Sequence, residues 1–561
     1  MAQKTPEILE LSDQRLEELI DRAASQSFDA TDYELAAKVA AAYGSLFKML
    51  RDKDATLRNL RKVLFGPFTE TMSAVVGQDV SDAAPNSTAD SAPGDVGVAA
   101  DQRPPSPPKT KREGHGRRKA DAYRGAERVL VPHETLTARD ACPKCETGTL
   151  YEATAPGLLI RITGRAPLAA TIYELEKLRC NLCGAVFTAK PAEGIGTEKY
   201  DAASAAMIGL LKYGSGLPFN RIAQLQENLE IPLPPATQWD VVHSASAAMQ
   251  PAYEELVRQA AQGDVLHNDD TTARILEHMG KRAAAKGKQP VADDEPLNKD
   301  GSPRKGLYTS GVVSTCSGRR IALFFSGRKH AGENLADVLR QRAAELEAPI
   351  HMCDALARSL PEELQAIVAN CLAHGRRKFV EVYDNFSDES EHVLTSLGAV
   401  YNIDAEARKL GLSPEERLAL HQARSRPVME ELHEWLKKQF DDRLVEPNSS
   451  LGSAIAYMLK HWKKLTLFLR QAGAPLDNNL CERVLKRAIL HRKNSLFFKT
   501  QNGARVGDLY MSLIHTCELS GANPFDYLVA LQTNAERVAA QPGDWMPWNY
   551  RQLLDAAKQV A

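Results

Sequence analysis

Asp264-Val-Leu-His-Asn-Asp-Asp-Thr-Thr272 and Ala348-Pro-Ile-His-Met-Cys-Asp354 decide the fold. Each is a short apolar run that turns acidic at its end, the pattern of a buried strand finishing in a carboxylate. A third acidic position, Glu482 in Leu476-Asp-Asn-Asn-Leu-Cys-Glu-Arg483, falls in the first turns of a basic helix that Asp477 is placed to cap. Two strand-end carboxylates and one helical carboxylate are the oxygen donors that a pair of Mg²⁺ ions needs for phosphodiester chemistry.

Working outward, Gly306-Leu-Tyr-Thr-Ser-Gly-Val-Val-Ser and Arg320-Ile-Ala-Leu-Phe-Phe predict two further strands joined by a turn at Cys316-Ser-Gly-Arg. A helix is predicted over 331–346, before the strand that ends at Asp354. Three strands, a helix and a fourth strand match the opening of a ribonuclease-H-like α/β core, in which the first and fourth strands are neighbours. Residues 277–305, rich in Lys, Asp, Gly and Pro, read as a loop. Residues 361–470, including Pro361–Asn370, read as helical.

The chain has 561 residues, enough for several domains, and a formal net charge of only −2. No apolar stretch is long enough to span a bilayer, and the N-terminus carries no signal-peptide pattern, so the expectation is a cytoplasmic protein without a membrane partner. Nine cysteines without a secretory signal argue against a disulfide framework. Four of them, Cys142, Cys145, Cys180 and Cys183, form two Cys-x-x-Cys pairs separated by alternating, hairpin-like sequence. That is the spacing of a zinc ribbon, with one structural Zn²⁺ and no open coordination position.

Ahead of the ribbon, Tyr43, Leu50, Leu57 and Leu64 recur every seven residues. This long helix either packs on its own protein or forms a short dimerising coiled coil. A Pro/Ser/Ala-rich linker follows and ends in a Gly-flanked basic run with Arg117, Arg118 and Lys119, suited to DNA phosphates. Residues 217–240 read as helix, break, helix, with Pro235 starting the second helix; the pair is a packing unit or a helix-turn-helix. The predicted organisation is thus a long helix (30–75), a linker (76–128), a zinc ribbon (129–192) and a helical segment (195–255). The core follows (256–385), with a helical insertion (386–470), a final core helix (471–504) and a C-terminal segment (505–561).

Several blocks resemble those of insertion-sequence-66-type transposases. Cys371-Leu-Ala-His-Gly-Arg-Arg-Lys-Phe379 is similar to that family's "AHxRRKF" signature. Leu476–Arg483 with His491-Arg-Lys-Asn-Ser-Leu-Phe497 resembles its "DNNxxER…RKNxLF" block. Leu266-His-Asn-Asp-Asp-Thr271 is similar to "HxDET", with Asp270 where Glu is usual. Leu64-Phe-Gly66, the paired Cys-x-x-Cys knuckles and the tail Asn523–Asn549 follow the family's order. A departure is Ala355-Leu356 after the second Asp, where Gly-Tyr is common.

The resemblance implies an Asp-Asp-Glu transposase acting on double-stranded DNA at element ends and target. It implies two Mg²⁺ or Mn²⁺ ions on Asp269, Asp354 and Glu482, with Asp269 or Asp270 as the first ligand. It also implies a homodimer or larger assembly on DNA, with accessory proteins from the same element as further partners. His374, Arg376, Arg377, Lys378, Arg483, Arg487, Arg492 and Lys493 are candidate phosphate contacts. Other readings of the same residues are a ribonuclease-H-like nuclease or resolvase, and an inactive DNA-binding regulator derived from a transposase.

Overall fold

The computed structural model describes residues 198–280, 304–355 and 366–560, together with 166–179, 186–191 and scattered positions between 22 and 161. The heptad positions Tyr43–Leu64, residues 76–125 of the linker with the basic run at Arg117–Lys119, the four ribbon cysteines and residues 281–303 lie outside the described residues. Two local pairings bracket the Cys-x-x-Cys segments. Ala141 bridges Thr149 around the first. Strand β1 (Lys177–Arg179) pairs antiparallel with β2 (Val186–Thr188) around the second. Residues 82–169 form one compact unit, and 170–561 with 1–81 form another.

The larger unit is built on five strands: β3 (Val265–Thr272), β4 (Tyr308–Cys316), β5 (Arg319–Gly327), β6 (Ile350–Cys353) and β7 (Ile367–Asn370). Their order is β5-β4-β3-β6-β7. β3, β4 and β5 form an antiparallel meander, and β6 and β7 continue parallel to β3. The β4–β5 hairpin closes through Ser317 and Gly318 at φ +49° and +77°. That left-handed pair matches the strand twist, and glycine takes its half without a Cβ penalty.

Two sequence expectations are corrected here. The segment Ile367–Asn370, expected to be helical, is strand β7. Its brief Ile-Val-Ala run is too short for periodicity to separate a buried strand from a helix, and pairing with β6 decides the matter. The helix expected over 331–346 stops at Leu339.

Strand alternation sorts the helices. Helices α1 (Ala202–Gly209), α2 (Phe219–Asn228) and α3 (Pro235–Ala261) precede the sheet, with Pro235 in the first turn of α3. α3 and α4 (Ala331–Leu339) cover one face of β4: Ser314 donates to the Ala260 carbonyl at 2.7 Å, and Asn334 reaches Ser310 at 2.9 Å. On the opposite face lie α5 (Leu372–Val382), α6 (Ser387–Leu410), α7 (Pro414–Leu420), α8 (Arg426–Asp441) and α9 (Ser450–Leu465). α5, α6, α8 and α9 share one apolar core with Ile350, Met352 and Ala369 of β6 and β7. The stretch expected as an insertion therefore roofs the parallel half of the sheet. α10 (Asn479–Ser495) crosses the antiparallel half on the same face.

The remaining elements are α11 (Gln501–Ser520), α12 (Pro524–Thr533), α13 (Ala535–Ala540) and α14 (Tyr550–Val560). α11 closes the open edge of β5. Thr516 Oγ1 accepts from the Ala322 amide and Ser512 Oγ from Phe324, both at 3.0 Å, and Asp508 Oδ2 accepts from Ser326 at 2.7 Å. Residues four apart on a helix rise about 6 Å, and alternate strand residues about 6.7 Å, so the ladder stays in step over three rungs. An edge strand that would otherwise offer free amides is thereby capped.

Burial pushes the Asp508 carboxyl up to about 7 from 3.8, against the two hydrogen bonds from Ser326. The folded state then binds a proton that the unfolded state has released, so this group lowers stability as pH rises from about 4 through about 7. Asp508→Asn keeps an acceptor for the Ser326 amide and removes the buried charge. It should raise stability by about 1–3 kcal/mol at pH 8.5 and by less at pH 5, measured by urea denaturation. A loss at pH 8.5 would contradict the ladder as described.

Candidate metal centre

β3 and β6 run side by side only as far as His267–Met352. Beyond that pair the strands part, leaving a crevice at their carboxyl ends, the usual place for a site in an open α/β sheet. Asp269 stands on β3 at the lip of this crevice, and Asp354 follows β6 immediately. Glu482 enters from above, in the first turn of α10. All three are half-buried.

The carboxylates act on one another. Burial pushes Asp269 up to about 7, and the charges of Asp354, Asp270 and Glu482 add to this while the Asp270 amide opposes it. That amide donates to Asp269 Oδ1 at 2.8 Å and orients the carboxylate. Asp270 lies on the other face of the sheet, where His330, tilted against Tyr308, approaches it at 3.0 Å. The residue that joins Asp354 and Glu482 on the crevice side is therefore Asp269.

α10 reaches this position because β4 carries glycine opposite Asp269. A Cβ on Gly311 would stand 3.3 Å from Leu485 Cδ1 and 3.6 Å from Cys481 Sγ, and the Cys481 thiol donates to the Gly311 carbonyl. Larger side chains there would lift the helix and Glu482 with it.

The helix is held at both ends. At its start, the fully buried Asn478 donates from Nδ2 to the Asn268 carbonyl at 2.9 Å, just where the β3–β6 ladder has ended. Its side-chain oxygen then accepts from His267 Nδ1 at 3.1 Å, which fixes the His267 tautomer. The Asn478 amide donates to Cys371 Sγ at 3.2 Å. Across the strand, Asn268 Oδ1 accepts from His351 Nε2 at 2.9 Å. Burial lowers His267 to about 4 and His351 to about 3, so both are neutral hydrogen-bonding groups at pH 7. At the far end, Arg492 binds Thr271 Oγ1 at 2.9 Å and Thr272 Oγ1 at 2.6 Å, and Phe498 continues alongside Ile275.

The basic candidates divide by position. His374 and Arg377 on α5 flank Glu482, each 3.9 Å from one of its oxygens. Arg483 is exposed one residue further on. The Lys378 ammonium sits 4.7 Å over the Tyr457 ring. Arg376 is half-buried on α5 and Lys493 exposed near the end of α10. Arg487 pairs with Glu518 at 3.2 Å, and Arg492 is engaged with the end of β3. Nothing in the residue types separates these roles; only the fold does. Asn478, His267, Asn268 and His351 had no assigned part in the sequence reading. The available signal was polar residues inside an otherwise apolar strand, where each needs a partner.

The donor set suits a hard divalent cation: three carboxylates in one crevice, with Glu482 Oε1 buried and lacking a hydrogen-bond partner. Comparison with known proteins agrees in direction. A model of the transposase IS66 family matches residues 199–506. Similar chains include two uncharacterized proteins of Sinorhizobium fredii (strain NBRC 101917 / NGR234). One, y4hP, is 28% identical over 405 residues, 69% of each chain. The other, y4jD, is 28% identical over 384 residues, 66% of this chain and 71% of its own.

If Asn478 is the clamp, Asn478→Leu keeps the volume but strands the His267 N–H and the Asn268 carbonyl. Each orphan costs about 1–3 kcal/mol, so urea denaturation should register a loss of about 2–5 kcal/mol. A loss under about 1 kcal/mol would mean that other contacts hold the start of α10.

Proposed function

The chain belongs to the IS66 family of transposases, and from that premise we propose that it cuts and joins DNA at the ends of a bacterial insertion sequence through a metal-dependent Asp-Asp-Glu centre. The observation that carries this reading is the meeting of Asp269, Asp354 and Glu482 at one crevice from three separate elements. The strand order, three antiparallel strands followed by two parallel ones beside the first, supports a ribonuclease-H-like core.

In this reading Asp269, Asp354 and Glu482 would together hold two divalent ions. Bound there, Mg²⁺ or Mn²⁺ supplies Lewis acidity for the attacking oxygen, water first and a 3′-hydroxyl later, and for the leaving oxygen. The rest falls to the chain. The Asp270 amide keeps the Asp269 carboxylate turned into the crevice. Asn478 and Arg492 fix α10 so that Glu482 meets the strand ends. Arg376, Arg377, Lys378 and Arg483, around the crevice, hold DNA by its phosphates without reading sequence. Double-stranded DNA is the partner, bound by a dimer or larger assembly. The two Cys-x-x-Cys pairs, Cys142/Cys145 and Cys180/Cys183, are the sequence ground for proposing one structural Zn²⁺ as well.

Strand transfer tests the proposal, using pre-cleaved DNA from the sequence flanking the gene, a plasmid target and Mg²⁺ or Mn²⁺. Asp269→Asn, Asp354→Asn and Glu482→Gln should each lower joining by about 10³-fold or more while leaving DNA binding nearly unchanged. Joining retained in all three would overturn the assignment.

A further inference from the structure

Two buried polar atoms beside the carboxylates have no hydrogen-bond partner: Glu482 Oε1 and His374 Nδ1. A buried polar atom left this way needs an explanation, and a shared cation is one. The two face each other at 3.9 Å. That is too long for a hydrogen bond, yet it suits two ligands of one cation, which lie about 3–4 Å apart around a six-coordinate ion.

Neither atom is there by accident of a mobile side chain. α5 begins directly after β7, and the Leu372 amide donates to the Leu476 carbonyl at 3.0 Å, tying the start of α5 to the segment that leads into α10. The His374 amide donates to the Cys371 carbonyl at 3.2 Å. Gly375 lets α5 close on α9, since a Cβ there would fall 2.5 Å from Met458 Sδ. Arg377 approaches the other Glu482 oxygen, Oε2, and leaves Oε1 to His374. Cys371 Sγ is the third donor within 4.8 Å of this pair, but its sulfur already receives the Asn478 amide.

We propose that His374 Nδ1 is a ligand of the same divalent ion that Glu482 holds, making this an Asp-Asp-Glu-His centre. The proposal rests on the reading of the carboxylates as a metal site and adds a nitrogen to it. An imidazole in the ligand set shifts preference from Mg²⁺ toward Mn²⁺, because nitrogen donors suit the transition metal better. It also gives the packing around Glu482 a purpose: α5 delivers a ligand, and α10 delivers its partner.

The test is pulsed electron paramagnetic resonance on the full-length protein with Mn²⁺, no free Zn²⁺ and no DNA. The wild type should carry one directly coordinated ¹⁴N, and His374→Ala and His374→Asn should lose it. Their Mn²⁺ dissociation constants should rise by about tenfold or more, with thermal melting checking that each variant folds. Bound Mn²⁺ without nitrogen coupling in the wild type would overturn the proposal, as would coupling that survives in both variants. If Mn²⁺ binding depends on Asp269 and Glu482 but carries no nitrogen, the carboxylate centre stands and His374 alone falls. If the wild type binds no Mn²⁺, or binds it equally well after Asp269→Asn and Glu482→Gln, the whole metal reading fails.

Discussion

The hydrogen bond from Asn478 Nδ2 to the Asn268 carbonyl is the constraint on which the rest depends. A crevice between parallel strands exists only where their ladder stops, and stopping it exposes a strand carbonyl that must be satisfied. Here the side chain that satisfies it also starts α10. The opening of the crevice and the arrival of Glu482 over it are thus one event. His267 and His351 complete the arrangement by donating to the side-chain oxygens of Asn478 and Asn268, and their burial as neutral rings keeps additional positive charge away from the carboxylates.

A second constraint acts at the opposite edge of the sheet. The carboxylate cluster needs β3 to be rigid, and β3 is braced by β4 and β5, whose outer edge would otherwise be open. α11 closes that edge with side chains instead of a sixth strand. The cost is a carboxyl group, Asp508, buried well above its ordinary pKa range. With α10 clamped to both ends of the active half of β3, the sheet presents its strand ends to α5 and α10 in a fixed geometry. That is the preorganisation a metal centre needs if its ligands are to come from elements far apart in sequence.

Much of this was legible in the residues. The strand ends at Asp269 and Asp354 were visible because an apolar run that finishes in acid has few other uses, and Pro235 marked the start of α3. β7 was missed because four residues of Ile-Val-Ala-Asn carry no period. Adjacent identical residues could not be told apart in the sequence; strand alternation separates them, leaving Asp269 on the face of α10 and sending Asp270 to His330 on the other. Nor could the basic residues be sorted by type. Arg492 and Arg377 look alike in sequence, yet one anchors the end of β3 and the other stands beside Glu482. The edge-capping ladder of α11 was hidden for a different reason: Asp508, Ser512 and Thr516 at four-residue spacing resemble the polar face of any surface helix, and only the strand beside them gives them a role.

Whether the three carboxylates share divalent ions is tested most directly by diffraction from crystals soaked in Mn²⁺, recorded at the manganese edge. Shared ions should give anomalous peaks about 2.2 Å from carboxylate oxygens of Asp269, Asp354 and Glu482. Peaks confined to other parts of the chain, with this crevice empty at saturating Mn²⁺, would contradict this reading.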